Sequence, residues 1–76
     1  MTTKETFARR LNEAIKASCT NNVALARMIG ASGCSVYGWR RGKNMPDGYN
    51  VAQLCRALGV SADWLLGIDN EGECEQ

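Results

Sequence analysis

The chain has 76 residues, enough for one small domain and too few for a buried catalytic pocket beside a core. Its hydrophobic fraction of 45% is typical of a folded protein, and no apolar run approaches the roughly 18 residues of a membrane span. The N-terminal MTTKETFARR lacks the apolar segment of a signal peptide, so we expect a cytoplasmic protein.

Charge is divided unequally between the two halves of the chain. Residues 1–43 carry eight Lys or Arg against two Glu, a balance of +6, and residues 44–76 carry one Arg against six Asp or Glu, a balance of −5. A basic half is typical of a surface that contacts phosphates, and an acidic half keeps the opposite surface away from nucleic acid. An ordinary solvated surface of mixed charge is the alternative.

The first two predicted helices occupy residues 3–29. Phe7, Leu11 and Ile15 recur at helical spacing, which predicts an amphipathic helix over residues 3–17. Asn22 is a favourable N-cap for a second helix, which Gly30 ends because glycine tolerates the positive φ of a tight turn. The apolar positions of this second helix are Val23, Ala24, Leu25, Ala26, Met28 and Ile29.

A third helix is predicted at about residues 33–41, with Ser32 as its N-cap. Val36 and Trp39 lie three residues apart and are expected to face inward, and the residues expected to face outward are Ser35, Tyr37, Arg40 and Arg41. Two short helices joined by a glycine turn, from Asn22 to Gly42, are typical of a helix-turn-helix, whose second helix fits the major groove of DNA.

Two more helices are predicted after a turn-rich loop that contains Pro46. Asp47 begins a fourth helix with one apolar stripe, Gly59 ends it, and Ser61 caps a fifth helix from Ala62 to Leu66. The stripe consists of Val51, Leu54, Cys55 and Leu58. We therefore expect an all-α, compact five-helix domain over residues 1–67, followed by an acidic tail or the start of a linker over 68–76.

With the helices placed, residues 6–67 resemble the lambda-repressor-like, or XRE, helix-turn-helix family, and most of all the N-terminal DNA-binding domain of phage CI-type repressors. The resemblance rests on Phe7, Leu11, the Leu25–Ala26 pair, Gly30, Val36, WRRG at 39–42, Pro46 and LGVSADWLLG at 58–67. It implies that Ala26 lets the second and third helices approach closely, and that the structural core of the motif is Leu25, Ala26, Gly30, Val36 and Trp39.

The family contacts bases through the start and outer face of the third helix. The resemblance assigns this role to Ser32, Gly33, Cys34, Ser35, Tyr37, Gly38 and Arg41. Only Arg41 is of the Arg, Asn or Gln type that pairs bidentately with base edges, so direct readout is sparse. The two glycines either allow a close approach to DNA or are tolerated because Val36 and Trp39 anchor the helix. The phosphate-contact candidates are Asn22, Arg40, Lys43 and Asn44.

The leading hypothesis is a repressor that binds double-stranded DNA as a homodimer on an inverted-repeat operator. The resemblance implies that a separate C-terminal domain, absent from these 76 residues, secures the dimer. An antitoxin-type regulator and a helical protein-interaction module that has lost DNA binding are the alternatives. We expect no enzyme, because the chain has no histidine, no phosphate loop and no acid pair on a shared face. No cofactor and no small-molecule ligand are predicted.

Four cysteines, Cys19, Cys34, Cys55 and Cys74, lie far apart without a CxxC pair. No metal site is therefore expected, and we expect reduced cysteines that pack as small hydrophobic side chains, with two disulfides as the alternative. Trp39 and Trp64 are expected in the core, whereas Tyr37 is the aromatic residue expected at the DNA.

Overall fold

The computed structural model describes residues 3–68, and this part of the chain contains five α-helices and no strand. In chain order they are α1 (Thr3–Ala17), α2 (Asn22–Ile29), α3 (Gly33–Arg40), α4 (Gly48–Leu58) and α5 (Ala62–Leu66). The predicted all-α, five-helix fold is confirmed. The tail at residues 69–76, including Cys74, lies outside the described residues.

Every helix contributes at least one fully buried side chain to a single core. These side chains are Phe7 and Leu11 from α1, Leu25 from α2, Val36 from α3, Leu54 from α4 and Leu65 from α5. Helix α1 packs against α3 and α5, α2 packs against α3 and α4, and α4 packs against α5. Helix α3 is therefore supported from two sides, by α1 and by α2.

Side-chain caps begin the last four helices. Ser32, Asp47 and Ser61 each accept the backbone N–H of the residue three positions later, as predicted. The prediction for α2 is wrong by one residue: Asn21 is the cap, because its Oδ1 accepts the N–H of Ala24 at 2.9 Å. Asn22 is instead the first helical residue, and its side chain is available for another contact.

Gly30 makes the turn between α2 and α3. Gly30 adopts a left-handed conformation with a φ of 75°, which residues other than glycine rarely adopt. The N–H groups of Gly30 and Ala31 both donate to the carbonyl of Ala26, which closes the end of α2. Helix α3 begins at Gly33, only three residues after Gly30.

Helix α2 is less uniformly buried than its apolar sequence predicts. Leu25, Ala26 and Ile29 are buried, whereas Val23 is 63% and Met28 58% exposed. The three buried positions follow helical spacing, so α2 has one core face and an outer face on which Val23 and Met28 are exposed beside Arg27.

The three described cysteines are free thiols with different surroundings. Cys55 packs against the core, and burial raises the pKa of its thiol. Cys19 and Cys34 are exposed, so the expectation that they pack as small hydrophobic side chains is wrong. Cys19 follows the end of α1 and has a φ of 55°, in the left-handed region that residues other than glycine rarely adopt.

Candidate nucleic-acid interface

Helix α3 has one face in the core and one face in solvent. Val36 is fully buried and Trp39 is 5% exposed, so both act as the inward anchors that the sequence predicts. On the other side, Cys34, Tyr37 and Arg41 are exposed at positions i, i+3 and i+7. Three of the predicted base-contacting residues therefore form one continuous stripe along the outer face.

The start of α3 is closed by serine hydrogen bonds. The Ser32 hydroxyl accepts the N–H of Ser35 at 3.1 Å and donates to the Ser35 hydroxyl at 3.0 Å. Gly33, between them, is half-buried, and a Cβ added there would meet no described atom within 4 Å. The protein itself therefore gives no steric reason for a glycine at position 33.

Gly38 does not lie on the outer face as the sequence predicted; it is buried. A Cβ at position 38 would lie 2.9 Å from the side-chain nitrogen of Asn44, and the N–H of Lys43 donates to the Gly38 carbonyl at 3.0 Å. The loop that follows α3 thus folds back over this position. Asn44 is exposed and its side chain can rotate away, so this contact does not by itself require a glycine. The burial of Gly38 is what removes it from the outer face and from the candidates for base contact.

Tyr37 and Arg41 are bonded to each other on the exposed face. Arg41 Nη1 donates to the Tyr37 hydroxyl at 2.8 Å, and the Arg41 guanidinium carbon lies 5.4 Å from the centre of the Tyr37 ring. This combines a hydrogen bond with a cation–π contact. The separation of four residues places the two side chains one helical turn apart, so they meet directly.

Arg40 is turned into the protein rather than outward as expected. Its Nε donates to Asn12 Oδ1, its Nη1 donates to Asn22 Oδ1 at 2.6 Å, and its own carbonyl accepts from Asn12 Nδ2 at 3.1 Å. The half-buried guanidinium therefore links α1, α2 and the end of α3. The spacing pattern of α3 gave no sign of Asn12, because its partner is 28 residues away.

An open groove lies at the N-terminus of α2. Its lining residues are Asn21, Asn22, Val23, Ala24, Arg27 and Arg40. Two phosphate candidates, Asn22 and Arg40, are brought together here, and the unpaired backbone N–H groups of a helix start favour anions. Arg27 lines the same groove, although it is not among the residues predicted from the sequence to contact phosphate. The other two candidates, Lys43 and Asn44, are exposed in the loop after α3.

The basic residue Arg10 joins α1 to α5. Its Nη1 donates to the Trp64 carbonyl, and its guanidinium carbon lies 5.3 Å from the centre of the Trp64 ring. Trp64 itself is half-buried against the core, as expected of a packing residue. Arg10 thus has a structural function at the α1–α5 contact.

Residues 3–68 contain no helix with the length and apolar character needed to cross a bilayer. In the same range, no three His, Cys, Asp or Glu side chains are grouped so that they could hold a metal ion.

Comparison with curated proteins finds a likeness to a phage protein. Repressor protein C2 of Salmonella phage P22 is 39% identical over 46 residues, which cover 60% of this chain and 21% of that repressor. This likeness supports the phage repressor-like helix-turn-helix family. The five-helix fold is consistent with a small helix-turn-helix domain. The chain matches no protein-family model. No solved structure matches it either.

Proposed function

We propose that this chain is the DNA-binding part of a sequence-specific transcriptional repressor, with α3 placed in the major groove of duplex DNA. One observation carries the proposal: α3 is anchored by Val36 and Trp39 on one side, while Tyr37 and Arg41 stand exposed on the other. A rigidly supported helix with an exposed polar face is what groove recognition requires. The likeness to a phage repressor favours this function over a protein-interaction module.

Phosphate contacts come from the two ends of the motif. The groove at the start of α2 offers backbone N–H groups together with Asn22 and Arg40, and the loop after α3 offers Lys43 and Asn44. Such contacts fix the orientation of the protein and carry no sequence information. Within α3, the residues proposed to contact bases are Ser32, Gly33, Cys34, Ser35, Tyr37 and Arg41.

The proposal includes a symmetric pair of protomers. One recognition helix contacts too few base pairs for high specificity, so two half-sites centred about 34 Å apart, or a multiple of that, are expected. The matched residues span about a fifth of the P22 repressor. We therefore assign the dimer contact to a segment beyond residues 1–67.

Selection from a pool of randomised duplex DNA at near-physiological salt tests the proposal. The 76-residue chain and a version with two copies joined by a flexible linker are selected in parallel. An inverted-repeat consensus from either protein supports an operator-binding repressor. Enrichment by the linked version alone assigns dimer formation to a missing domain. Failure of both proteins to enrich any sequence contradicts the proposal and favours a protein partner.

A further inference from the structure

The Arg41 side chain is oriented before any ligand arrives. Its Nη1 donates to the Tyr37 hydroxyl at 2.8 Å, and its guanidinium lies against the Tyr37 ring. Arg41 occupies the C-cap of α3 in a right-handed conformation, and its N–H bonds to the Tyr37 carbonyl at 3.1 Å. Backbone and side chain therefore both fix the guanidinium relative to the helix axis.

Most of the donors on this guanidinium remain available. Arginine carries five N–H donors, and the Tyr37 hydroxyl takes one of them. Among residues 3–68, no other side chain or carboxylate bonds to the Arg41 guanidinium. Arg40 is the opposite case, since its Nε and Nη1 are both committed to asparagine side chains.

We propose that Tyr37 is a positioning residue that holds Arg41 to recognise a guanine in the major groove, so that the Tyr37–Arg41 pair acts as one specificity-determining unit. The inference rests on the proposed function and deepens it by naming the base. Guanine presents two acceptors, O6 and N7, which match the planar arginine fork bidentately. The arginine fork also matches a phosphate, so its position on the helix favours the base: Arg41 shares the exposed outer face of α3 with Cys34 and Tyr37, which is the face proposed to enter the major groove.

Selections with four proteins test the unit: the wild-type chain, Tyr37→Phe, Arg41→Ala and the double variant. Wild type should enrich a guanine at one position of each half-site, and Arg41→Ala should lower discrimination at that position by about 5- to 150-fold. Tyr37→Phe keeps the ring and removes the hydroxyl, so discrimination should fall by about 2- to 12-fold, the effect of releasing one ordered side chain. The double variant should lose no more discrimination at that position than Arg41→Ala alone.

Tyr49→Phe is the matched control, because Tyr49 is 68% exposed and lies outside the candidate set. It should leave the selected sequence unchanged. Persistence of the guanine in Arg41→Ala, or an equal loss on selected and random DNA in Tyr37→Phe, overturns the inference and leaves the proposed function standing. A wild-type chain and a linked dimer that both select nothing overturn the proposed function and the inference together.

A second measurement needs no DNA. Nitrogen-15 relaxation at Arg41 Nε reports how ordered the guanidinium is in the free protein. The order parameter should fall in Tyr37→Phe and stay at the wild-type value in Tyr49→Phe. An Arg41 side chain that is equally ordered in all three proteins shows that the hydroxyl does not position it, whatever the DNA result.

Discussion

Replacing Gly33 by alanine tests whether α3 approaches DNA closely at its N-terminus. Gly33 is the first residue of α3, its φ lies outside the left-handed region, and a Cβ there meets no described atom within 4 Å. The protein should therefore accept alanine without strain. Because glycine loses more backbone entropy than alanine on folding, the substitution should stabilise the fold by about 0.5 kcal/mol, or raise Tm by about 2–4 °C.

Gly33→Ala is expected to weaken DNA binding although it stabilises the fold. If the backbone at position 33 contacts the walls of the major groove, the added methyl group has to displace α3 from the DNA. We expect at least about a tenfold loss of affinity, equivalent to about 1.4 kcal/mol. Fluorescence anisotropy with the selected duplex measures this loss, and thermal unfolding followed by circular dichroism measures the gain in stability.

Gly48→Ala is the matched control, since Gly48 is also the first residue of its helix, follows a side-chain cap and has open space around its Cα. It should gain the same stability and keep wild-type affinity. If Gly33→Ala binds within about twofold of wild type, no close approach to DNA occurs at α3. The glycine is then tolerated only because Val36 and Trp39 anchor the helix.

Three further predictions concern the core, the loop and the thiols. Trp39→Ala should lose about 3–5 kcal/mol through a core cavity, and a urea unfolding curve shifted by less than about 1 kcal/mol would contradict its anchoring role. Lys43→Ala should weaken binding to all duplexes alike and lower the salt slope by about one, whereas Arg56→Ala should leave the slope unchanged. Burial raises the pKa of the Cys55 thiol, so the folded state disfavours its thiolate. The stability of the fold is unaffected by this thiol at neutral pH and declines as the pH rises towards the raised pKa, because the unfolded chain releases the proton more readily. Alkylation at pH 8 should accordingly modify exposed Cys34 before Cys55, and equal rates would refute that difference.

Helix positions were predictable because each has a local cause. Ser32, Asp47 and Ser61 begin their helices through contacts only three residues long, and Gly30 ends α2 through its own backbone conformation. The one wrong cap came from two adjacent asparagines that are equally suitable as caps. The choice between them is made by Arg40, which bonds to the Asn22 side chain and leaves Asn21 to cap α2.

The candidate site was less predictable, because its side-chain positions depend on contacts distant in sequence. Helical spacing placed Tyr37 and Arg41 outward correctly. The same spacing placed Gly38 and Arg40 outward as well, but the loop at Asn44 covers Gly38, and Asn12 and Asn22 turn Arg40 inward. A periodic pattern describes one helix at a time and carries no information about neighbouring segments that cover its surface.

The Arg40 contacts are important because α3 has little stability of its own as a helix. The helix has eight residues, two of them glycines, and an isolated helix shorter than about 12–15 residues is marginal in water. Its C-terminal carbonyl at Arg40 accepts from Asn12 while the Arg40 side chain donates back to Asn12, so two hydrogen bonds close the helix end against α1. A substitution at Arg40 therefore changes the position of α3 and a candidate phosphate contact together. Asn12 is not a candidate DNA contact. Its substitution therefore tests how the position of α3 affects DNA binding without removing a side chain that is proposed to contact DNA.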